Sequence, residues 1–162
     1  MEAKRFKQLI DEISIEHQGK KVGKKYVWLH NDVVIFLDIQ RSEFKPKAFF
    51  INVNYFLCSV TGPPDIDAFE YLGDICYRFN ASIGDEDYSD VFAIDELQNE
   101  VDIRNTLERE FTYFIKNVRT SSDLEFVIKN RPNVKPFMKG IAEKHFKVPP
   151  PKKKSFFGFF RL

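Results

Sequence analysis

The alternation of apolar and polar residues is most regular over residues 26–58. A period of two marks β-strands, because successive side chains point to opposite faces. Three strands are predicted, over 26–30, 33–40 and 49–58. Asn31-Asp32 makes the first turn, and a loop over 41–47 holding Pro46 makes the second. One face collects Val33, Ile35, Leu37 and Ile39 with Phe49, Ile51, Val53, Tyr55 and Leu57, and is assigned to the core. The other face mixes Val34, Phe36, Asp38 and Gln40 with Phe50, Asn52, Asn54 and Phe56. Antiparallel sheets often leave such a face partly wet. Asp38, Gln40, Asn52 and Asn54 are therefore candidates for a polar, partner-binding groove. The plain alternative is a solvated sheet face, since they form no recognised catalytic constellation.

The period changes on either side of the strands. Phe6, Leu9, Ile10 and Ile13 recur at three- and four-residue spacing and predict an amphipathic helix over 4–16, ended by Gly19. Lys20, Lys21, Lys24 and Lys25 follow. They read as a solvated approach to an edge strand, where lysines discourage pairing with another sheet. Thr61-Gly62-Pro63-Pro64 breaks the pattern. A helical turn is expected over 65–72. A fourth strand is expected over 75–83, where Ile75, Tyr77, Phe79 and Ala81 alternate with Cys76, Arg78, Asn80 and Ser82, and Gly84 closes it. An acidic loop follows over 85–90, then a short extended piece over 91–94.

Helical spacing returns with Ile103, Leu107, Phe111, Phe114, Ile115 and Val118, over 102–119. Ser121 or Ser122 is expected to cap a helix through Lys129 that buries Leu124, Val127 and Ile128 and stops at Pro132. A last short helix is expected over 136–146, packing Phe137 and Ile141. The fold class is α+β: an antiparallel sheet of about four strands, packed by an N-terminal helix and a C-terminal helical region. Residues 1–148 make a single domain. Residues 149–162 make a proline spacer and a basic–aromatic tail.

Size and charge sharpen this picture. A chain of 162 residues suits one domain and buries enough surface to need no staples. Five of its 25 basic residues and none of its 24 acidic ones fall in 147–162, so the body is mildly acidic and the tail strongly basic. An acidic body argues against nucleic acid as a partner. Two cysteines without metal-type spacing, and no long apolar run near the start, lead to the expectation of a reduced cytoplasmic setting.

Chemistry is sparse. His17, His30 and His145 sit in separate elements without a Cys or carboxylate at metal-ligand spacing, and read as surface residues. Cys58 and Cys76 read as buried structural thiols. No nucleophile elbow or phosphate-binding glycine loop is present in the sequence, so no catalytic residue and no cofactor are assigned. Asp85, Glu86, Asp87, Asp90, Asp95 and Glu96 crowd one connection. Oxygen ligands at that density can hold a divalent ion, but the spacing fails the EF-hand pattern. A solvated loop, or a patch in which Asp85, Asp87 and Asp90 attract a basic partner, fits as well.

The tail stands apart. Phe156, Phe157, Phe159, Phe160 and Leu162 place five apolar side chains in seven residues, directly after Lys152, Lys153 and Lys154. Attachment to an anionic membrane surface, docking into a partner's groove, and folding back on the mixed sheet face all suit that composition.

The order of elements also resembles a bacterial domain-of-unknown-function family. The likeness is carried by an opening helix (FKQLIDEI), a lysine-rich approach to a strand, a strand ending near Gln40 and Ser42, and the Phe49-Phe50-Ile51-Asn52 strand. It extends to CYRFNASIGDEDYSDVFAID and covers roughly 6–129, with Val22-Gly23-Lys24 where members often show Gly-Phe. The resemblance implies no catalytic residues. The expected function is a non-catalytic bacterial interaction protein of toxin-immunity or inhibitor type. The alternatives are a membrane-peripheral adaptor at the inner face, anchored by the tail, and a metal-dependent enzyme using the acidic loop.

Overall fold

The computed structural model describes residues 1–66, 73–82, 89–96, 99–130, 137–138 and 140–147. Helix α1 (Ala3–Glu16) leads into strands β1 (Lys20–Val22), β2 (Lys25–Leu29), β3 (Val33–Arg41) and β4 (Ala48–Leu57). A one-turn helix α2 (Cys58–Thr61) follows, then β5 (Ile75–Arg78) and β6 (Phe92–Ala93). Helix α3 (Glu100–Phe111) runs on into a π turn (Thr112–Lys116), and α4 (Ser121–Asn130), β7 (Phe137–Met138) and α5 (Gly140–His145) complete the order.

Every strand pair is antiparallel, in the order β1-β2-β3-β4-β5-β7, with β6 also pairing β4. The α+β class with its antiparallel sheet is as expected: among the described residues the four longer strands β2–β5 form the sheet, and three short ones extend it. The additional ones, β1, β6 and β7, are two or three residues long, too short for a period of two to register. The lysine-rich approach is itself the edge strand β1. There Lys21 pairs with Asp11 at 2.8 Å and sits over the Tyr26 ring.

Helices α1 and α3 pack together, and their apolar stripes join the core-face residues of β3 and β4 in one cluster. All nine residues assigned to that face are in the core, Ile39 only partly buried. Phe6 sits 5.3 Å from Phe49 and 5.7 Å from Phe92, while Phe79 meets both Phe111 and Phe114. Arg104 ties the two helices at the surface, reaching Glu16 on α1 and Glu108 on its own helix. His17 belongs to this seam and is not a surface residue. Its ring stacks on Phe111 and meets Glu108 at 2.9 Å, leaving the side chain 11% exposed.

Three local expectations change. The chain leaves α1 through Gln18, which takes φ 65°, while Gly19 lies so close to Trp28 that an added Cβ would fall 2.6 Å from the indole. The cap of α4 is Thr120, not Ser121 or Ser122. Thr120 Oγ1 accepts from the Asp123 amide and Asp123 accepts from the Thr120 amide, a reciprocal box. Ser121 instead gives its amide and hydroxyl to Asp32, each at 2.7 Å. The strand expected over 75–83 is regular only over Ile75–Arg78; Phe79 still donates to the Ile51 carbonyl at 3.0 Å, and from Asn80 on α3 takes up backbone groups. Buried Glu110 accepts from the Asn80 amide at 2.9 Å, and Arg109 donates to the Ser82 carbonyl at 3.0 Å.

The turn expected over 65–72 lies mostly outside the described residues. So do Gly84, Asp85, Glu86, Asp87, Pro132, the proline spacer, the whole tail, and the side chains of Phe137 and Ile141. Among the described residues no helix is long and apolar enough to cross a membrane.

Candidate functional site

The strand register decides what the second face of the sheet can do. Asp38 on β3 stands opposite Asn52 on β4, and Asn52 stands opposite Arg78 on β5. Three polar side chains therefore form a row across three adjacent strands. Asn52 Nδ2 donates to Asp38 Oδ2 at 3.1 Å, and Arg78 Nε donates to Asn52 Oδ1 at 3.2 Å. Beyond the strands Arg78 Nη1 donates to Asp90 Oδ2 at 2.8 Å. The guanidinium carbon of Arg78 lies 4.2 Å from the centre of the Phe50 ring, so the cation is stacked as well as bonded.

The neighbouring row reinforces the first. Phe36 faces Asn54, and Asn54 faces Cys76. Asn54, 1% exposed, gives its amide to the other Asp38 oxygen at 3.2 Å and takes the Gly73 amide on its own oxygen at 3.3 Å. Asn52 also approaches Gln40 Oε1 at 3.4 Å. Asp38 is thus the acceptor on which two amides converge.

Electrostatics follow from burial. Desolvation raises the Asp38 carboxyl above its ordinary value, against the two amide bonds and the charges of Lys25 and Arg78, which favour the anion. Burial also lowers the Lys25 ammonium, with Asp38 acting the other way. The Cys76 thiol is pushed up to about 11, chiefly by burial and then by Asp38. It stays protonated at neutral pH, where a thiolate would be needed for attack or metal binding. Cys58 is likewise raised by burial, and both thiols are free and half-buried rather than fully buried.

Towards the other end of the face the row gives way to an apolar cluster. Val27, Val34 and Phe36 are buried there beside Val22, Phe56 and Cys58, with the Phe36 and Phe56 rings edge to face at 5.4 Å.

The four sheet residues predicted as a partner site, Asp38, Gln40, Asn52 and Asn54, therefore do come together. Asp90 joins them through Arg78. Asp95 is exposed, and Glu96 pairs with Lys45. Sequence reasoning placed Phe50 on this face but missed Arg78 and Lys25 as members of the site. The signal was present for Arg78, which alternates with the core residues of β5 and so had to share a face with Asn52. Among the described residues no group of three or more His, Cys, Asp or Glu side chains is placed to hold a metal ion. His145 is exposed, as expected. His30 is held below its ordinary value by burial and by Arg119.

Comparison with protein-family models, with curated proteins and with solved structures finds no match to this chain, so its candidate site rests on its own geometry.

Proposed function

We propose that this chain is a non-catalytic interaction protein of the bacterial cytoplasm, of inhibitor or immunity type, that engages a protein partner through the polar row on the second sheet face. The observation that carries this reading is the hydrogen-bonded series Asp38–Asn52–Arg78–Asp90 with Phe50 beneath the guanidinium. The series is ordered by its own bonds before any partner arrives, which lowers the entropy cost of association. Its charges alternate in sign along the row, a pattern that favours register and selectivity over raw affinity. An Arg stacked on an aromatic ring is the kind of anchor that dominates interface energies. The protonated Cys76 beside the row supports recognition rather than covalent chemistry.

The test is affinity capture from the source cell. Wild-type chain and an Asp38→Ala/Arg78→Ala variant serve as baits at physiological concentration. A partner retained by the wild type and lost by the folded variant supports the reading. Recovery of the wild type as a lone monomer, or equal retention by both baits, overturns it. A toxin gene beside this one would fix the immunity form of the proposal.

A further inference from the structure

A groove of about 500 Å³ opens where β2 turns into β3 and where β4 runs into α2. Leu29, Val34, Cys58, Pro63, Pro64 and Ile66 form its apolar lining. Leu29 is 54% exposed there, at the end of β2 beyond the residues that pair with β1. Val34 and Cys58 also belong to the apolar cluster of the second face, so groove and cluster form one apolar tract.

Three facts indicate what the groove takes. First, α5 packs against α2, one wall of the groove. His145, in the last turn of α5, is near enough to Asp32 on the groove rim to favour its anion. The described residues end at Lys147, two residues after this helix. Second, residues 148–162 continue from that point, and Phe156 is nine residues on, a reach of up to about 30 Å when extended. Third, the groove rim carries the anion of Asp32, opposite in sign to Lys152, Lys153 and Lys154 ahead of the rings.

We propose that the groove is the docking site of this chain's own aromatic segment, 156–160, with Phe rings against Leu29, Val34, Cys58 and the Pro63-Pro64 wall. A tethered segment meets its site at an effective concentration on the order of millimolar, so modest apolar contact suffices. The docked rings extend the apolar end of the second face and leave the polar row open. The proposal is independent of the partner reading.

Cys58 lines the groove and provides the readout. In a full-length Cys76→Ser background, Cys58 is the single thiol. Its rate of modification by a maleimide is compared with that in the same chain carrying Phe156→Ala, Phe157→Ala, Phe159→Ala and Phe160→Ala. Docking predicts a rate at least about tenfold faster in the alanine variant, as for any site released from a cover. Leu29→Glu, an exposed change on the groove wall, should release Cys58 to a similar extent with the tail intact. Equal rates in all three chains overturn the proposal. Equal rates combined with ring-dependent co-sedimentation on vesicles of phosphatidylcholine and phosphatidylserine also overturn it, and assign the segment to an anionic membrane instead.

Discussion

Replacing Arg78 with alanine removes three contacts of one side chain. The ion pair with Asp90 is about a third exposed on both sides (39% and 34%), so its worth is about 0.2–1 kcal/mol. Stacking on Phe50 adds about 0.5–1 kcal/mol at such a site. The bond to Asn52 adds about 1 kcal/mol. The three share one guanidinium and do not sum freely, so the expected loss is about 1.5 kcal/mol. For a chain of this size that is a fall in Tm of about 3–6 °C. Urea unfolding followed by Trp28 fluorescence, with an unchanged m-value, gives the number directly. Arg78→Lys is the sharper variant. It keeps the charge near Asp90 but loses the planar stack and the Nε–H, so about half the loss should remain. A cycle with Asp90→Ala should give a coupling below about 1 kcal/mol. If Arg78→Lys matches the wild type, the planar fork is not what orders the row, and the argument for a preorganised anchor fails.

Other consequences are independent of the row. Tyr55→Phe removes a bond from a fully buried hydroxyl to the Phe114 carbonyl at 2.7 Å, inside the π turn after α3. A loss of about 1–3 kcal/mol is expected in denaturant, and a loss under 0.5 kcal/mol would show that the turn does not need it. Gly19→Ala places a Cβ 2.6 Å from Trp28 and 2.8 Å from the Ser14 carbonyl, so about 1–3 kcal/mol should be lost together with a shift in the emission of this lone Trp. Asp32, which accepts from the amide and hydroxyl of Ser121, is held below its ordinary value of 3.8. Its stabilisation is therefore present above that value and lost as pH falls through the lowered folded value. Ser121→Ala should cost about 1 kcal/mol near neutral pH, and that cost should shrink in acid.

The strands that carry the site were legible because β3 and β4 are long enough for a period of two to repeat four times. The same alternation placed Asp38, Gln40, Asn52 and Asn54 on one face. What it could not give was register. Whether Asn52 faces Asp38 or Gln40 depends on the 41–47 loop, and a shift of two residues leaves the pattern unchanged. The face of Arg78 was legible too, but not its place beside Asn52, which is set by the long connection from β4 to β5. The cap at Thr120 was missed because Ser121 and Ser122 suit the position equally well by residue type. Asp32, 89 residues away, is what claims Ser121. His17 was misplaced because only its packing against α3 removes it from water. Residues that depend on a contact between distant segments were the ones the local pattern left open.

Two aspartates shift in opposite directions, Asp32 in the turn between β2 and β3 and Asp38 on β3. Asp32 is stabilised as an anion, but Asp38 is not, because burial outweighs the two amides that bond to it. In the window from its ordinary 3.8 up to its raised folded value, the folded chain holds the Asp38 proton more tightly than the unfolded chain. The wild type therefore loses stability as pH rises through that window, the reverse of Asp32. Asp38→Asn lacks the titration, so its stability relative to the wild type should improve with rising pH and then level off. The bonds from Asn52 and Asn54 offset part of that desolvation and fix Asp38 as an acceptor between the strands. A difference between wild type and Asp38→Asn that stays flat with pH would place Asp38 in ordinary solvent and reduce the row to a wet sheet face.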